Sequence, residues 1–354
     1  MTDLHLDEVL GPFLDEGDVL GHEPMGVVEE VGHEVTELRP GDRVVVPFNV
    51  SCGTCWMCGQ GLHSQCETTR VREYRTGASL FGYTKLYGQV PGGQAAYLRV
   101  PFGNTLPVKV PDGPADDRFV YLSDILPTAW QAVNHAGVGR IGGGRVTGVA
   151  VLGLGPIGDM ATRVARHLGV ENVIGIDRVP ERLARAPGRG VTTVDLDGYG
   201  TQLGDVVRGL TAGRGADAVI DAVGMEAHGS PVGALAHRIT GLLPDTVAAK
   251  VMTTAGTDRL AALYAAIDIV RRGGTISVAG VYGAWPTRCR CSRCPTSRSS
   301  CAWARRTCTA GCPRSCRCSS TTTRWASRGS RPTGCRWTGH RWPTPTSRPS
   351  AAGP

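Results

Sequence analysis

The sequence predicts an α/β protein with a β-rich first part, a doubly wound parallel sheet and a tail of different composition. Three observations predict it. Residues 17–50 alternate short apolar runs with Gly and Pro, as small antiparallel strands do. From about residue 118, apolar strand-like runs alternate with helix-like stretches at βαβ spacing. From residue 284 onward the chain contains no Ile, Leu, Val, Met, Phe or Tyr.

These changes divide the 354 residues into three regions. Residues 1–135 form the predicted β-rich domain, and residues 136–283 form the predicted doubly wound sheet. Each is long enough to bury a core of its own. Residues 284–354 are expected to be disordered, because a segment without large aliphatic side chains cannot bury a core.

The formal net charge of +7 comes entirely from the tail. Residues 284–354 hold 14 Arg and no Asp, Glu or Lys, whereas residues 1–283 carry 24 basic and 31 acidic side chains. A mildly acidic body offers no electrostatic field suited to nucleic acid, so no nucleic-acid partner is predicted. We find no signal peptide and no apolar run of membrane-spanning length, and therefore expect a cytoplasmic protein without a membrane partner.

Four cysteines lie within fifteen residues in the stretch CGTCWMCGQGLHSQC: Cys52, Cys55, Cys58 and Cys66. Four thiolates at this spacing can enclose one tetrahedral Zn²⁺ with no open position, which predicts a structural zinc site. Four incidental reduced thiols and an iron–sulfur cluster are the alternatives. Because residues 1–283 contain no other cysteine, the pattern favours a metal site in a reducing compartment over a disulfide framework.

The stretch VAVLGLGPIG places Gly153, Gly155 and Gly158 between a predicted strand and a predicted helix. Such glycines allow a tight turn and the approach of a pyrophosphate to the helix N-terminus. Asp177 follows Gly158 by nineteen residues, where a carboxylate accepts hydrogen bonds from the adenosine ribose. Its charge would repel a 2′-phosphate, so NAD is predicted over NADP, although Arg178 beside it weakens the preference. The predicted turn also contains Pro156 and Ile157.

The motifs GHEPMGVVEEVG, the cysteine stretch, LSDILPTAW and GLGPIG occur in this order between residues 2 and 283. Together they resemble the zinc-dependent medium-chain alcohol dehydrogenases, with the closest likeness to the glutathione-independent formaldehyde dehydrogenase and threonine dehydrogenase-like branch. The resemblance implies a GroES-like catalytic domain that holds two zinc ions and a Rossmann domain that binds NAD. It also implies a small alcohol or aldehyde as substrate.

The resemblance implies roles for single residues. His22, in GHE, and Asp124, in LSDILPT, would be ligands of a catalytic zinc, with Glu23 as a neighbouring carboxylate. Thr2 and His5 would relay a proton from the substrate. Taken alone, His22 is typical of a buried core histidine, and Asp124 equally of a helix N-cap. The residues expected to line the cofactor are Arg182 at the adenine, and Thr128, Val223, Gly224, Ala279, Gly280 and Val281 at the nicotinamide.

The start of the chain departs from the family pattern. The family's remaining zinc ligand is a cysteine in the motif CGTDLH, whereas this chain begins MTDLH. The matching cysteine would precede Met1, so we expect a truncated catalytic domain that lacks its first strands and binds the catalytic zinc weakly.

The tail supports a separate hypothesis. Arg, Pro, Ser, Cys and Trp are what GC-rich codons yield when read out of frame, and regrouping permissible codons of the tail gives segments of ordinary composition. We interpret residues 284–354 as the product of a reading-frame shift that removes the last strand of the Rossmann sheet. A cysteine-rich tail that binds soft metals and an arginine-rich arm that binds RNA are the alternatives.

The predicted function is that of a zinc-dependent, NAD-linked oxidoreductase acting on formaldehyde or another small alcohol or aldehyde. The alternative is an inactive remnant that retains the structural zinc and part of the NAD site. Relatives form homo-oligomers through a strand that falls in the altered region, so the sequence does not extend that assembly to this chain.

Overall fold

The computed structural model describes residue 6, residues 11–74, 76–139, 146–224 and 261–280, and the backbone of residues 300–303 and 323–324. The predicted site residues Thr2, His5 and Val281 lie outside these ranges, as does most of the tail. The hypotheses of tail disorder and of a frame shift fall largely on residues outside them as well. No helix in the described part of the chain is long and apolar enough to cross a membrane.

The first domain is built from short strands and turns, as predicted. A three-stranded antiparallel sheet has the order β1–β2–β3, and a single turn of helix, α1, lies among the cysteines. Val46, Val50, Phe81 and Leu106 form a small core beside this sheet. The bounds of these elements are Met25–Val27 (β1), Arg43–Val45 (β2), Trp56–Gly59 (α1) and Val108–Lys109 (β3).

The second domain alternates strands and helices as the sequence predicts. Its three central strands, Gly148–Leu152, Asn172–Asp177 and Ala216–Asp221, are nearly continuous apolar runs, which is typical of parallel strands covered on both faces. Two clusters of buried aliphatic side chains cover the two faces of the sheet. In chain order the elements are Ile125–His135 (α2), Gly148–Leu152 (β4), Pro156–His167 (α3), Asn172–Asp177 (β5), Pro180–Arg185 (α4), Thr192–Asp195 (β6), Leu196–Tyr199 (α5), Leu203–Leu210 (α6), Ala216–Asp221 (β7), Ala261–Ile269 (α7) and Val270–Val278 (β8).

The strand order indicates where a sheet of this kind can bind a ligand. Strands β8, β7, β4, β5 and β6 lie side by side in this order and are all parallel. The chain moves outward from β4 in one direction and then returns to add β7 on its other side. Ligands of such sheets bind at this reversal, beyond the carboxyl ends of the strands. Leu152 of β4 and Asp221 of β7 are register partners at that end.

Two short strands of the tail correct one expectation. Ser300–Trp303 (β9) pairs in parallel with β8, and Thr323–Arg324 (β10) pairs antiparallel with β9, so the sheet has seven strands. From the sequence no strand is expected here, because the segment lacks aliphatic side chains. Strand pairing, however, uses the backbone N–H and C=O groups, which Ser, Cys, Ala and Trp supply as well as Val does.

Asp217, near the start of β7, forms hydrogen bonds with residues at the start of the two neighbouring strands, β4 and β8. One of its carboxylate oxygens, Oδ2, accepts hydrogen bonds from Thr147 N (2.8 Å) and Gly148 N (3.0 Å) at the start of β4, while Oδ1 accepts one from Arg271 Nε of β8 (2.5 Å). Partial burial raises the pKa of Asp217. The hydrogen bonds from Arg271, Thr147 and Gly148 outweigh that effect and hold the pKa below its ordinary value of 3.8.

We predict that Asp217→Ala lowers the free energy of unfolding by about 1–3 kcal/mol at neutral pH, because it leaves these donors unsatisfied. A folded-state pKa that is depressed means that the stabilisation is complete above the unfolded pKa of about 3.9 and is lost as the pH falls through the lower folded value. Urea denaturation at neutral and acidic pH measures this. Asp205→Ala is the control, because the Asp205 side chain is 81% exposed and, among the described residues, pairs with Arg208 on its own helix. Equal effects of the two substitutions would contradict the prediction.

Candidate active site and metal centres

The backbone segment just before His22 packs directly against the backbone of residues 92–94. Gly93 N donates to Gly21 O (2.7 Å), and Gln94 N donates to Leu20 O (2.9 Å). A Cβ on Gly92 would lie 2.4 Å from Gly21 O, which is closer than such atoms approach. Only glycine fits at residue 92, and the backbone just before His22 is therefore clamped.

The imidazole of His22 lies in apolar surroundings. Only 3% of the residue is exposed. The ring of Tyr83 meets it edge to face at a centroid distance of 5.2 Å, and Phe48 lies at 6.1 Å. Tyr83 and Phe48 belong to a buried cluster with Leu6, Leu80 and Tyr87. These contacts fix the ring plane and limit the access of water to the imidazole.

Asp124 faces His22 from the start of α2. The distance from Asp124 Oδ2 to His22 Nε2 is 3.4 Å, and 3% of Asp124 is exposed. The residue occupies the N-cap position, with φ −144° and ψ −59°, yet its side chain makes no capping hydrogen bond. The carboxylate does not accept from the N–H groups at the helix start, and its Oδ2 lies toward the imidazole. Asp124 thus occupies the N-cap position, but its side chain does not cap the helix.

Glu23 lies close to His22 and Asp124 and could bind the same metal ion. His22, Glu23 and Asp124 each offer one ligand atom, and the three atoms lie within 4.8 Å of one another. Nitrogen and oxygen donors around zinc are about 3.2–3.6 Å apart when the bonds are about 2.0–2.2 Å. Small side-chain movements would therefore bring all three onto one ion. The resemblance implies only a neighbouring role for Glu23, whereas in the structure one of its carboxylate oxygens lies close enough to be a ligand of the same ion.

The four cysteines converge around α1. Their sulfur atoms lie within 4.8 Å of one another, and Cys55 Sγ and Cys66 Sγ are 3.9 Å apart. Tetrahedral zinc with Zn–S bonds of about 2.3 Å requires a spacing of about 3.8 Å. None of the four forms a disulfide, and three of them are buried. Residue types, number and spacing all fit one zinc ion.

The surroundings of this cluster favour thiolate at some positions and disfavour it at others. Thr68 Oγ1 donates to Cys52 Sγ (3.2 Å), as does Cys55 N (3.3 Å). These bonds, with that of Thr68 foremost, lower the pKa of Cys52 to about 5. Burial raises the pKa of Cys58 to about 12. A divalent cation removes this conflict, because it lets neighbouring thiols ionise together.

The glycine turn after β4 has the geometry of an anion-binding loop. Gly153 adopts φ +83°, and a Cβ on Gly158 would lie only 1.7 Å from Gly153 O, so the strand and α3 touch through backbone. A Cβ on Gly155 would meet no heavy atom nearer than Arg182 Nη1 at 3.8 Å. Gly155 therefore leaves its backbone open at the N-terminus of α3, which begins at Pro156.

Asp177 ends β5 beside this turn. Its carboxylate accepts hydrogen bonds from Leu154 N (2.5 Å), Arg178 N (2.7 Å) and Val179 N (2.9 Å), and Arg182 Nη1 lies at 3.5 Å. Burial raises the pKa of Asp177, but these backbone donors and Arg182 more than offset it, and the pKa lies below the ordinary 3.8. The carboxylate is ionised at neutral pH.

The side chain of Arg178, expected to weaken selection against a 2′-phosphate, is engaged elsewhere. Its Nε lies 2.7 Å from Asp197 Oδ1. The sequence analysis could not detect this pair, because nineteen residues and two elements separate the two side chains.

Asp221, at the end of β7, is not among the residues predicted from the sequence. It is fully buried at the end of β7. Its Oδ1 accepts hydrogen bonds from Val223 N (3.0 Å) and Gly224 N (3.1 Å), and its backbone oxygen accepts from Ala279 N and Gly280 N (both 2.9 Å). One residue thus holds together the two loops predicted to line the nicotinamide. An acid that ends an apolar strand, as in AVIDAVG, is the signal that could have identified it.

Comparisons with known proteins agree with this geometry. Residues 1–112 match the family model described as "Alcohol dehydrogenase GroES-like domain", and residues 156–239 match "Zinc-binding dehydrogenase". The chain is 38% identical to the uncharacterized zinc-type alcohol dehydrogenase-like protein AdhB of Bacillus subtilis, over 80% of this chain and 69% of AdhB. The chain belongs to the zinc-dependent medium-chain alcohol dehydrogenase family.

Other members of this family are similar over part of their length. The glutathione-independent formaldehyde dehydrogenase of Pseudomonas aeruginosa is 39% identical over 60% of this chain and 52% of the relative. The solved alcohol dehydrogenase TADH from Thermus sp. ATN1 has 34% identity and a TM-score of 0.59, covering 79% of this chain and 66% of TADH. The chain thus spans about half to two thirds of the length of these three relatives. The family and the α/β fold predicted from the motifs are confirmed.

We predict that Cys66→Ser removes one zinc ion per chain. Cys66 is fully buried and accepts a hydrogen bond from Cys52 N at 3.4 Å, so a serine would leave three sulfur ligands in a space shaped for a fourth. Metal counting by atomic emission after dialysis against a chelator measures the loss. Cys335→Ser, outside the cluster in sequence, should leave the zinc content unchanged. An unchanged zinc content in Cys66→Ser would contradict the site.

Proposed function

We propose that this chain is a zinc-dependent, NAD-linked oxidoreductase of small alcohols or aldehydes, with formaldehyde among its candidate substrates. The approach of Asp124 Oδ2 to His22 Nε2, at 3.4 Å in a buried pocket, carries the proposal. The similarity to a named formaldehyde dehydrogenase supports the substrate class.

His22 and Asp124 would hold the catalytic zinc, and Glu23 is within reach of the same ion. Zinc supplies Lewis acidity, which lowers the pKa of an alcohol or hydrate oxygen. The apolar wall of Phe48 and Tyr83 keeps the imidazole in place and excludes water from it. Cys52, Cys55, Cys58 and Cys66 would hold a separate, closed zinc that maintains their loop.

The protein also has to remove a proton from the substrate. By their place in the motif, Thr2 and His5 are proposed as the relay: the threonine hydroxyl passes the proton, and the imidazole accepts it near neutral pH. Both lie outside the described residues, so this assignment depends on the motif alone.

The glycine turn and Asp177 are proposed as the cofactor site. NAD accepts the hydride and so carries the redox chemistry. Gly155 leaves room for a pyrophosphate at the N-terminus of α3, and the ionised Asp177 would repel a 2′-phosphate. Arg178 pairs with Asp197, and this pair competes with any contact between Arg178 and a 2′-phosphate. Arg182 lies over the turn, on the proposed adenine side, and the proposed nicotinamide side comprises Thr128, Val223, Gly224, Ala279, Gly280 and Val281.

We predict that the purified chain reduces NAD⁺ with formaldehyde or a short alcohol and carries two zinc ions. His22→Ala should lower kcat/KM at least about 100-fold and remove one zinc, because a nitrogen ligand is lost. Formation of NADH by absorbance and metal counting measure both effects. His33→Ala is the matched control, since the side chain of His33 is 95% exposed and lies outside the pocket. A wild-type chain with one zinc and no turnover would be the inactive remnant and would refute the proposal.

Cofactor preference gives a separate prediction. Asp177→Asn should raise the ratio of kcat/KM with NADP⁺ to that with NAD⁺ by about tenfold or more, which corresponds to about 1.4 kcal/mol. Asn removes the charge and keeps one of the two oxygens, which can still accept from Arg178 N and Val179 N, whereas Leu154 N loses its acceptor. Asp205→Asn, an exposed carboxylate on α6, serves as the control and should leave the ratio unchanged. A wild-type preference for NADP⁺ would contradict the role given to Asp177.

A further inference from the structure

We infer that Thr128 is a positioning residue that orients the metal-binding carboxylate of Asp124. The inference rests on the proposed catalytic zinc site. It gives Thr128 a role other than the nicotinamide contact expected from the sequence.

The carboxylate of Asp124 is divided between two partners. Oδ2 faces His22 Nε2 at 3.4 Å, while Oδ1 accepts a hydrogen bond from Thr128 Oγ1 at 2.5 Å. With one oxygen engaged by the hydroxyl, the other is presented to the ion and the rotation of the carboxylate is stopped.

The helix places the hydroxyl where it can do this. Thr128 follows Asp124 by one turn of α2, and Thr128 N donates to Asp124 O at 2.9 Å. A helical threonine often donates its hydroxyl to the carbonyl four residues earlier. Here the hydroxyl reaches the side chain of that residue instead. Because Asp124 makes no capping hydrogen bond, its carboxylate is directed to Thr128 and His22 rather than to the helix end.

Burial makes the bond consequential. Thr128 is 5% exposed and Asp124 is 3% exposed, so water cannot easily replace a lost donor. Groups that hydrogen-bond to metal ligands commonly change metal affinity by about 10–100-fold. The same range is expected for the Thr128 hydroxyl.

The experiment compares Thr128→Val with Thr128→Ser in the full chain. Val keeps the shape and removes the hydroxyl, whereas Ser keeps the hydroxyl. Competition with a chromophoric chelator gives the affinity of each zinc, and titration gives the Kd of NAD⁺. We expect Thr128→Val to weaken one of two zinc ions by about 10–100-fold. We expect Thr128→Ser to stay within about threefold of the wild type, and the zinc of the cysteine cluster to be unchanged in both variants.

The outcomes separate this inference from the proposed function. A wild-type chain that binds only one zinc refutes both. Two zinc ions in the wild type, bound as tightly by Thr128→Val, refute the inference alone. A weaker Kd for NAD⁺ in Thr128→Val with unchanged zinc would show that Thr128 acts only as a cofactor contact. If Val disturbs packing, seen as loss of the cysteine-cluster zinc, Thr128→Ala tests the same loss of the hydroxyl with less bulk.

Discussion

The buried approach of the Asp124 carboxylate to the His22 imidazole is the interaction on which the candidate active site depends. Burying a carboxylate costs several kcal/mol unless partners compensate. Here the partners are an imidazole at 3.4 Å and a threonine hydroxyl at 2.5 Å. Both sides are fixed by backbone: the segment before His22 is clamped at Gly92, and Asp124 is fixed by the start of α2. A rigid pair of this kind suits a metal ion, since little needs to be ordered when the ion binds.

The metal pocket and the dinucleotide turn are joined by one packed pair of helices. Asp124 precedes α2, and the open backbone of Gly155 precedes α3. Ala129, Ala132 and Val133 of α2 belong to the same buried cluster as Ala161, Val164 and Ala165 of α3. Because small side chains bring the two helices close together, their N-termini keep a fixed relation. The distance from the proposed metal site to the proposed cofactor turn is therefore set by the core and not by a loop.

Features that depend on a local sequence pattern could be predicted from the sequence, whereas contacts between particular side chains could not. Apolar runs indicated β4, β5 and β7, cysteine spacing indicated the sulfur cluster, and three glycines indicated the turn. The bond between Thr128 and Asp124 depends on the direction in which a side chain leaves its helix, which the sequence alone does not show. The pair of Arg178 and Asp197 requires the strand order. Strand β9 was missed because its apolar content is low, although backbone groups suffice to pair it with β8.

Asp177 and Asp221 show why a strand-ending acid has more than one use. Each ends an apolar strand, and each accepts hydrogen bonds from the backbone N–H groups of the loop that follows. Asp221 is sealed off, whereas Asp177 is 7% exposed beside the glycine turn. Both carboxylates thus anchor the loop that follows their strand. Of the two, only Asp177 is exposed beside the anion-binding turn, where it could also recognise a ribose. It follows that stability and cofactor choice are coupled at this residue. A substitution that removes both oxygens of Asp177 would remove its charge and would also leave three backbone N–H groups without an acceptor. A change in cofactor specificity is therefore interpretable only when those N–H groups keep an acceptor.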